Sequence, residues 1–488
     1  MVEILQSPDK ESNELAQTPS ASGKWGAMLG AGIGWFMFGL QLYLVNIALP
    51  VMVKALDTNF ATIQWTLLSY VLMLTVMVLG AARLGDMYNK KWLYLGGVIM
   101  FTIGCLLCGL APTVEFLIAF RALQGLGAVF ISALPVAIVT EAFPQQERGW
   151  ALGILNGVFT LGIALGPAIG GLLLALGNWR LIFLVNVPIG MIASLIVALF
   201  VPSFSSINIK QKLDWIGVFL MTLTLTCFAL GMTRIQSFGL GDRTEQILLA
   251  VAAIGLICFL AVESRIQEPM LDLGMFRSLE FSFSLLLVWM VYIIIAAMDL
   301  IVPFFLELVK QYSPLQAGLL LTVLPLSSVL ASFIAGTMSD RFGEHTIVTV
   351  ALLLLILGCW ATSTLDDKST DLGFIVRLVP VQMGLGTFYA SNSSAVMGTV
   401  KREQLGIASG LLSFWRTLGL TTGVALLGTL FSTSTISRAN TAAKIDVTNA
   451  PVEALVEGVD VTFEFALGIA IAATIVGLFL WWRSVARE

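Results

Sequence analysis

The run Ile293-Ile-Ile-Ala-Ala-Met-Asp299-Leu-Ile-Val-Pro303 sets a single carboxylate in an otherwise apolar stretch. An ionised acid is costly there, so Asp299 is suited to taking up and releasing a proton. Arg416 poses the complementary problem. It stands about 16 Å into its own apolar run, too deep for its stem to carry the charge easily back to water. A guanidinium so placed faces a cavity, where it binds an anionic group or pairs with an acid. Arg121, with Gln124 one turn further on the same helical face, must likewise face protein or water. Asn392, Ser393 and Ser394 are three adjacent polar side chains in one apolar segment and need partners, so that segment borders water. The chemistry on offer is proton exchange and anion recognition inside apolar surroundings. No nucleophile, base and orienter occur together, which argues against an enzyme.

Other reactive residue types carry less. The five cysteines all lie in apolar runs, and Cys105 and Cys108 read as neighbours on one helix face rather than as a metal or redox pair. The one histidine, His345, falls in a short polar loop and reads as solvated. Glu307 is placed near an outer rim, with a share in proton coupling, and Glu141, before Pro144, reads as a gate partner. Aromatic residues such as Trp35, Phe38, Tyr43, Trp289, Tyr292, Tyr389 and Trp415 could line a greasy cavity. No metal site and no cofactor is implied.

The elements that must position these residues follow from composition. Only 11% of the 488 residues are charged and 58% are apolar, against roughly 25% charged in soluble domains. The chain is therefore integral to a membrane, with no room for a sizeable soluble domain. Net charge is −4 with no basic cluster, so no nucleic acid partner is expected. Fourteen apolar runs can be counted, at 25 to 47, 62 to 84, 92 to 111, 115 to 140, 149 to 176, 180 to 201, 214 to 234, 245 to 262, 281 to 307, 315 to 338, 346 to 365, 372 to 399, 405 to 431 and 461 to 482. An even number puts both ends on one side. Of the 26 Lys and Arg, with Arg83, Arg180 and Arg234 at the ends of their runs counted in the adjoining loops, 15 fall in the tails and even-numbered loops and 8 in the odd-numbered loops, which makes the ends cytoplasmic. Residues 1 to 24 read as a disordered cytoplasmic tail, 483 to 488 as a second tail, and about 432 to 460 as a loose outer loop.

Internal repetition organises the runs. Gly153, Leu155, Leu161, Gly162, Gly166 and Gly171 recur 257 residues later as Gly410, Leu412, Leu418, Gly419, Gly423 and Gly428. Arg121 and Arg377 are 256 apart, each followed by a G-x-G, and the loop at Gly85-Asp86 recurs at Ser339-Asp340-Arg341 after 254. The fold is thus all-α, with two pseudo-symmetric six-helix bundles at 25 to 201 and 281 to 482, and two helices inserted at 202 to 280. Two such halves about an axis along the membrane normal enclose a cavity near the midplane and expose it to either side by rocking. Asp86, Lys90, Asp340, Arg341 and Glu141 at the cytoplasmic ends would latch one state. Asn89 and Gly343 hold the matching turn position, where a positive φ is expected. Gly162, Gly166, Pro167, Gly170 and Gly171 read as a close-packed seam with a one-sided kink, since the twin of Pro167 is Val424.

These motifs resemble a known family. Ala82 to Lys91, Leu117-x-x-x-Arg121-x-x-Gln124-Gly125-x-Gly127-Ala128 and Gly162-x-x-x-Gly166-Pro167-x-x-Gly170-Gly171 are similar to the three signature motifs of the major facilitator superfamily. Trp179-Arg180-x-x-Phe183-x-x-Asn186-x-Pro188-x-Gly190 and Tyr312 to Gly318 resemble its fourteen-span drug:proton antiporter branch, and the likeness covers about 25 to 482. It implies the major facilitator fold with 14 transmembrane helices in a plasma (bacterial inner) membrane, and multidrug efflux in exchange for protons, with Arg121 supporting the coupling. The family's first-span signature carries an Asp where this chain has Gln41, and a Thr where it has Tyr43. A Gln cannot cycle a proton. Shifting the first run by 253 aligns Pro50 with Pro303 and sets Asp299 opposite Asn46, which offers Asp299 as the replacement, with Arg121 or Arg416 as its electrostatic partner. Expected partners are protons, membrane lipids and a small amphipathic compound held by Arg416, Gln41, Tyr43, Asn46, Gln124, Asn392 and Trp415, on a monomer. Movement of a lipid or glycolipid between leaflets is the alternative, and a transport-inactive sensor or scaffold a third.

Overall fold

A chain crossing lipid has to satisfy its backbone polar groups internally, and uninterrupted helix is how this sequence does so. The computed structural model describes residues 21–144, 147–203, 214–238, 243–266, 273–400, 405–439 and 446–485. Among them, fourteen helices are long and apolar enough to cross a membrane. Spans 1 to 6 are Gly23–Ala55, Phe60–Ala81, Lys90–Leu110, Val114–Ala142, Trp150–Ala175 and Leu181–Phe200. Spans 7 and 8 are Trp215–Ile235 and Arg243–Glu263. Spans 9 to 14 are Leu279–Val309, Pro314–Ser339, Glu344–Thr362, Asp371–Gly398, Ile407–Ala439 and Val452–Ser484. All fourteen runs read from the sequence are present. Most of the expected tail at 1 to 24 falls outside the described residues. We call the membrane face bearing the chain ends the tail face and the other the far face.

Three expectations need correction. The outer loop is shorter than the polarity of 432 to 460 suggests, because helix continues to Ala439 and resumes at Val452. Thr429 and Thr433 turn their hydroxyls back onto carbonyls four residues earlier, so these side chains satisfy themselves on a helix rather than breaking it. Asn89 has φ −63° and caps the next helix through its side chain, which accepts from Lys91 N at 3.0 Å. Of these two turn positions, Gly343 alone, at φ 85°, takes the positive φ. His345 is not solvated: its ring nitrogen lies 3.0 Å from Glu280, joining the tail-face ends of spans 9 and 11.

The glycines of spans 5 and 13 build equivalent seams. A Cβ on Gly162 would lie 2.5 Å from the Phe36 carbonyl oxygen, and one on Gly419 2.7 Å from that of Trp289. One turn on, Gly166 would meet Tyr43 Cβ at 2.8 Å and Gly423 would meet Ala296 Cβ at 2.6 Å. Phe36 and Trp289, like Tyr43 and Ala296, are 253 residues apart, so the repeat extends from sequence to contacts. Span 5 thus lies on span 1 as span 13 lies on span 9, at distances only glycine permits.

The next glycine in each series crosses between halves. Gly171 packs on span 10, where a Cβ would meet the Pro314 oxygen at 2.6 Å, and Gly428 packs on span 2 against Gln64 Oε1 at 2.4 Å. Phe60 wedges between Phe304 and Phe431, with ring centroids 4.8 and 5.4 Å away. Lys54 pairs with Glu307 at 2.8 Å, and Asp446 accepts from the Phe60 backbone N–H at 3.2 Å. The far face is sealed by these contacts. Towards the tail face, Gly153 and Gly157 of span 5 and Gly336 of span 10 have no neighbour within 4 Å of an added Cβ. Spans 7 and 8 stand to one side; span 7 touches span 13 through Met232, whose carbonyl accepts from Thr429 at 2.9 Å.

Candidate functional site

Directly below the far-face seal lies a cavity of about 20 Å³, lined by both halves. Tyr43, Asn46 and Ile47 come from span 1, Pro167 from span 5, Met298, Asp299 and Pro303 from span 9, Leu321 and Leu324 from span 10, and Gln382 from span 12. The volume is that of a single water rather than of a drug-sized molecule. Asn46 and Asp299, matched by the 253-residue repeat, line it from opposite halves. Asp299 has neither a hydrogen bond nor an ion pair among the described residues. Gln382 brings a carbonyl oxygen that is buried without a partner, so this cavity holds a carboxyl group and an open acceptor.

Arg416 lies elsewhere. Spans 9 and 13 run parallel with Gly419 beside Tyr292 and Gly428 beside Leu300, so Arg416 is about 15 Å nearer the tail face than Asp299. The two do not form a pair. Its Nη2 donates to Ser393 Oγ at 3.1 Å, and its guanidinium lies 4.2 Å from the centre of the Tyr389 ring. No carboxylate pairs with it among the described residues.

Arg121 is 2% exposed and enclosed within the first half. Its Nε donates to the Thr66 carbonyl at 2.7 Å, Nη1 donates to Gln124 Oε1 at 2.6 Å, and the Tyr70 ring lies 4.1 Å away. Gln124 in turn donates to Cys105 Sγ at 2.9 Å. Span 1 presents Gln41 not to the cavity but to span 6, where its Oε1 accepts from Asn186 Nδ2 at 2.7 Å. Asn392 is 2% exposed and donates to the Ser284 carbonyl of span 9 at 3.3 Å. Trp415 turns away from its neighbour Arg416 and packs against Phe276, with centroids 6.3 Å apart.

Of the expected gate residues, Lys90 and Glu141 form an ion pair at 2.8 Å, both inside the first half. Arg341 is exposed, with its guanidinium 5.3 Å from the Phe342 ring. The side chains of Asp86 and Asp340 fall outside the described residues. Glu307 belongs to the far-face seal through Lys54. Gly162, Gly166 and Gly170 pack on span 1, Pro167 lines the cavity, and Gly171 crosses to span 10.

The structure thus brings Tyr43, Asn46 and Asp299 together, sets Arg416 at a second level, and scatters Arg121, Gln41, Gln124, Asn392 and Trp415 among helix contacts. Sequence reasoning missed Gln382 and Lys54. An amide inside an apolar span was a usable signal for Gln382; nothing local marks Lys54, whose partner is 253 residues away.

Two pseudo-symmetric bundles meet at the far face over a cavity that both of them line. The chain belongs to the major facilitator superfamily, whose model matches residues 31–424 and 285–487. It is 31% identical to the multidrug resistance protein Stp of Mycobacterium tuberculosis over 408 residues, 83% of this chain and 75% of that one. Identity is also 31% to the riboflavin transporter RibZ of Clostridioides difficile, over 84% of this chain and 89% of the relative. The tetracenomycin C resistance and export protein of Streptomyces glaucescens is 30% identical over 86% of this chain and 79% of its own. Among solved structures, an inward-facing, unoccupied bacterial homologue of the human lysosomal transporter Spinster superposes with TM-score 0.68 at 16% identity, over 95% of this chain and 98% of that one. The POT family transporter PepTSo gives 0.64 at 14% identity, over 95% and 99%. The protein is a multi-pass membrane transporter.

Proposed function

We propose that the protein is a secondary exporter that moves an amphipathic compound through the space between its halves and takes protons in return on Asp299. The carrying observation is the cavity beneath the far-face seal, where Asp299 meets Asn46, Tyr43 and Gln382 across the two halves without an ion-pair partner. An intramembrane carboxyl with no countercharge is a proton site by default. Its place at the interface makes its surroundings depend on which face is open. When the far face opens, the contacts of Gly171 and Gly428 part and Asp299 gains access to the far side; when it is sealed, access comes from the tail side. A proton accepted in one state is then released in the other. Similarity to the multidrug resistance protein Stp and to the tetracenomycin C resistance and export protein supports resistance by export as the role.

On this reading the tail face is cytoplasmic, and the Lys and Arg distribution supports that. The test is uptake of the xanthene dyes fluorescein and rhodamine 123 into proteoliposomes under an imposed pH gradient. Gradient-driven uptake should be lost in Asp299→Asn while the folded protein is recovered in normal yield. Uptake that survives Asp299→Asn rejects Asp299 as the coupling group. Leaflet exchange of a labelled lipid that ignores the gradient would replace export with lipid translocation.

A further inference from the structure

A second level between the halves, below the cavity and nearer the tail face, is chemically two-sided. On the C-terminal half stands Arg416, held by Ser393 and by the ring of Tyr389. Its direction follows from the helix itself. On span 13, Gly419 and Gly423 face span 9, while Thr421 meets Thr75 of span 2 at 3.1 Å. Arg416 projects roughly 60° round the helix from Gly419, into the arc between those two neighbours. That arc is the space between the halves. Trp415, about 100° back round the helix and on the other side of Gly419, points out of it, in keeping with its contact on Phe276.

The residue related to Arg416 by the 257-residue repeat is Phe159 of span 5, which faces the same space from the other half. It lies against Trp35, with centroids 5.5 Å apart, and is stacked on Phe38 at 5.9 Å. Trp35 sits three turns below Asn46 on the same face of span 1, and all three residues remain partly exposed. An aromatic shelf therefore stands across from an arginine at one height. A guanidinium this deep with no carboxylate beside it lacks a counterion that the described protein does not supply.

We infer that this level is the substrate site, and that the transported compounds carry a flat aromatic body and an anionic group, the ring on Trp35 and Phe159 and the anion on Arg416 and Ser393. The inference rests on export through the space between the halves. The Tyr389 ring holds the guanidinium in place, leaving donors for a carboxylate, sulfonate or phosphate oxygen. The cavity at Asp299, with room for one water, does not compete for such a molecule. Substrate and proton occupy separate stations, about 15 Å apart along the membrane normal.

The test compares two dyes with one ring system and opposite charge, using the full chain in lipid nanodiscs. Fluorescein, anionic near neutral pH, should bind saturably and more tightly than rhodamine 123. Arg416→Gln should weaken fluorescein by about tenfold or more, with Arg416→Lys intermediate. Phe159→Ala should weaken both dyes, and Phe159→Asp should reverse the preference while leaving Arg416 in place, which covers the case in which Arg416→Gln does not fold. Equal binding of the two dyes, no binding of fluorescein, or fluorescein binding unchanged in folded Arg416→Gln overturns the assignment. Fluorescein that binds in this pattern yet never moves in proteoliposomes overturns export and leaves the anion site standing. Dye movement abolished by Asp299→Asn but indifferent to Arg416→Gln does the reverse.

Discussion

The two halves share their packing and differ in where they keep their polar groups. Seams at Gly162 and Gly166 and at Gly419 and Gly423 make the same contacts on the same repeat positions. In the first half, however, Arg121, Gln124, Gln41 and Asn186 bond to one another or to the backbone inside the bundle. In the second, Asp299 and Arg416 face the space between the halves. Around Arg416 mean hydropathy agrees, at 1.3 and 1.2 for spans 12 and 13 against 2.0 for each of their counterparts, spans 4 and 5. A duplicated framework can thus hold charged groups inside one copy and, on the proposed reading, turn those of the other towards the cargo.

The most severe test of that division moves the acid across it. Asp299→Asn should reduce gradient-driven dye uptake to background, and adding Asn46→Asp, which returns a carboxyl to the same cavity from the first half, should restore a measurable part. Failure of any restoration would show that the halves are not exchangeable at this position. Next in size is the seal. Gly171→Ala drives a Cβ onto backbone at 2.6 Å, whereas Gly428→Ala meets the movable end of Gln64. Overpacking of the first kind costs about 1–3 kcal/mol. Gly171→Ala should therefore raise maleimide labelling of a cysteine placed at Phe60 more than Gly428→Ala does.

A smaller effect concerns the first half's interior. Gln41→Leu strands the Asn186 amide and should lower thermal stability by about 1–3 kcal/mol, with the pH dependence of uptake unchanged; an altered pH profile would give Gln41 a share in coupling. Lys54→Ala removes an ion pair whose lysine is 63% exposed. It should shift the balance between open states by no more than about 1 kcal/mol, and less at high salt. Labelling at the far face reads this directly.

Glycine spacing made the fold legible, because a contact that admits only glycine leaves the same residue at the same offset in both copies. The offsets of 253 and 257 anticipate which spans touch and at what height. Asp299 and Arg416 were legible because a charge within an apolar run has few explanations. What could not be read is rotation about a helix axis when the partner is remote. Gln41 and Tyr43 are two residues apart, yet one meets Asn186, 145 residues away, and the other lines the cavity. Trp415 and Arg416 are adjacent and point to different places for the same reason. The polar stretch after Ser432 misled through composition, since helix continues through it and Thr433 turns its hydroxyl onto the Thr429 carbonyl.

The seal of the far face has one further consequence. Much of it is atom-on-atom contact between backbones, with Gly318 against Pro167 and Gly171 against Pro314, and dispersion attraction of this kind already loses about a quarter to a half of its depth over a gap of about 0.5–1 Å. A long-range spring would allow a ladder of partly parted positions. A clasp of glycines holds fully or releases, so the lifetime of the closed state is set by a single escape event, and openings of the far face should arrive as abrupt, exponentially distributed steps rather than as a gradual widening.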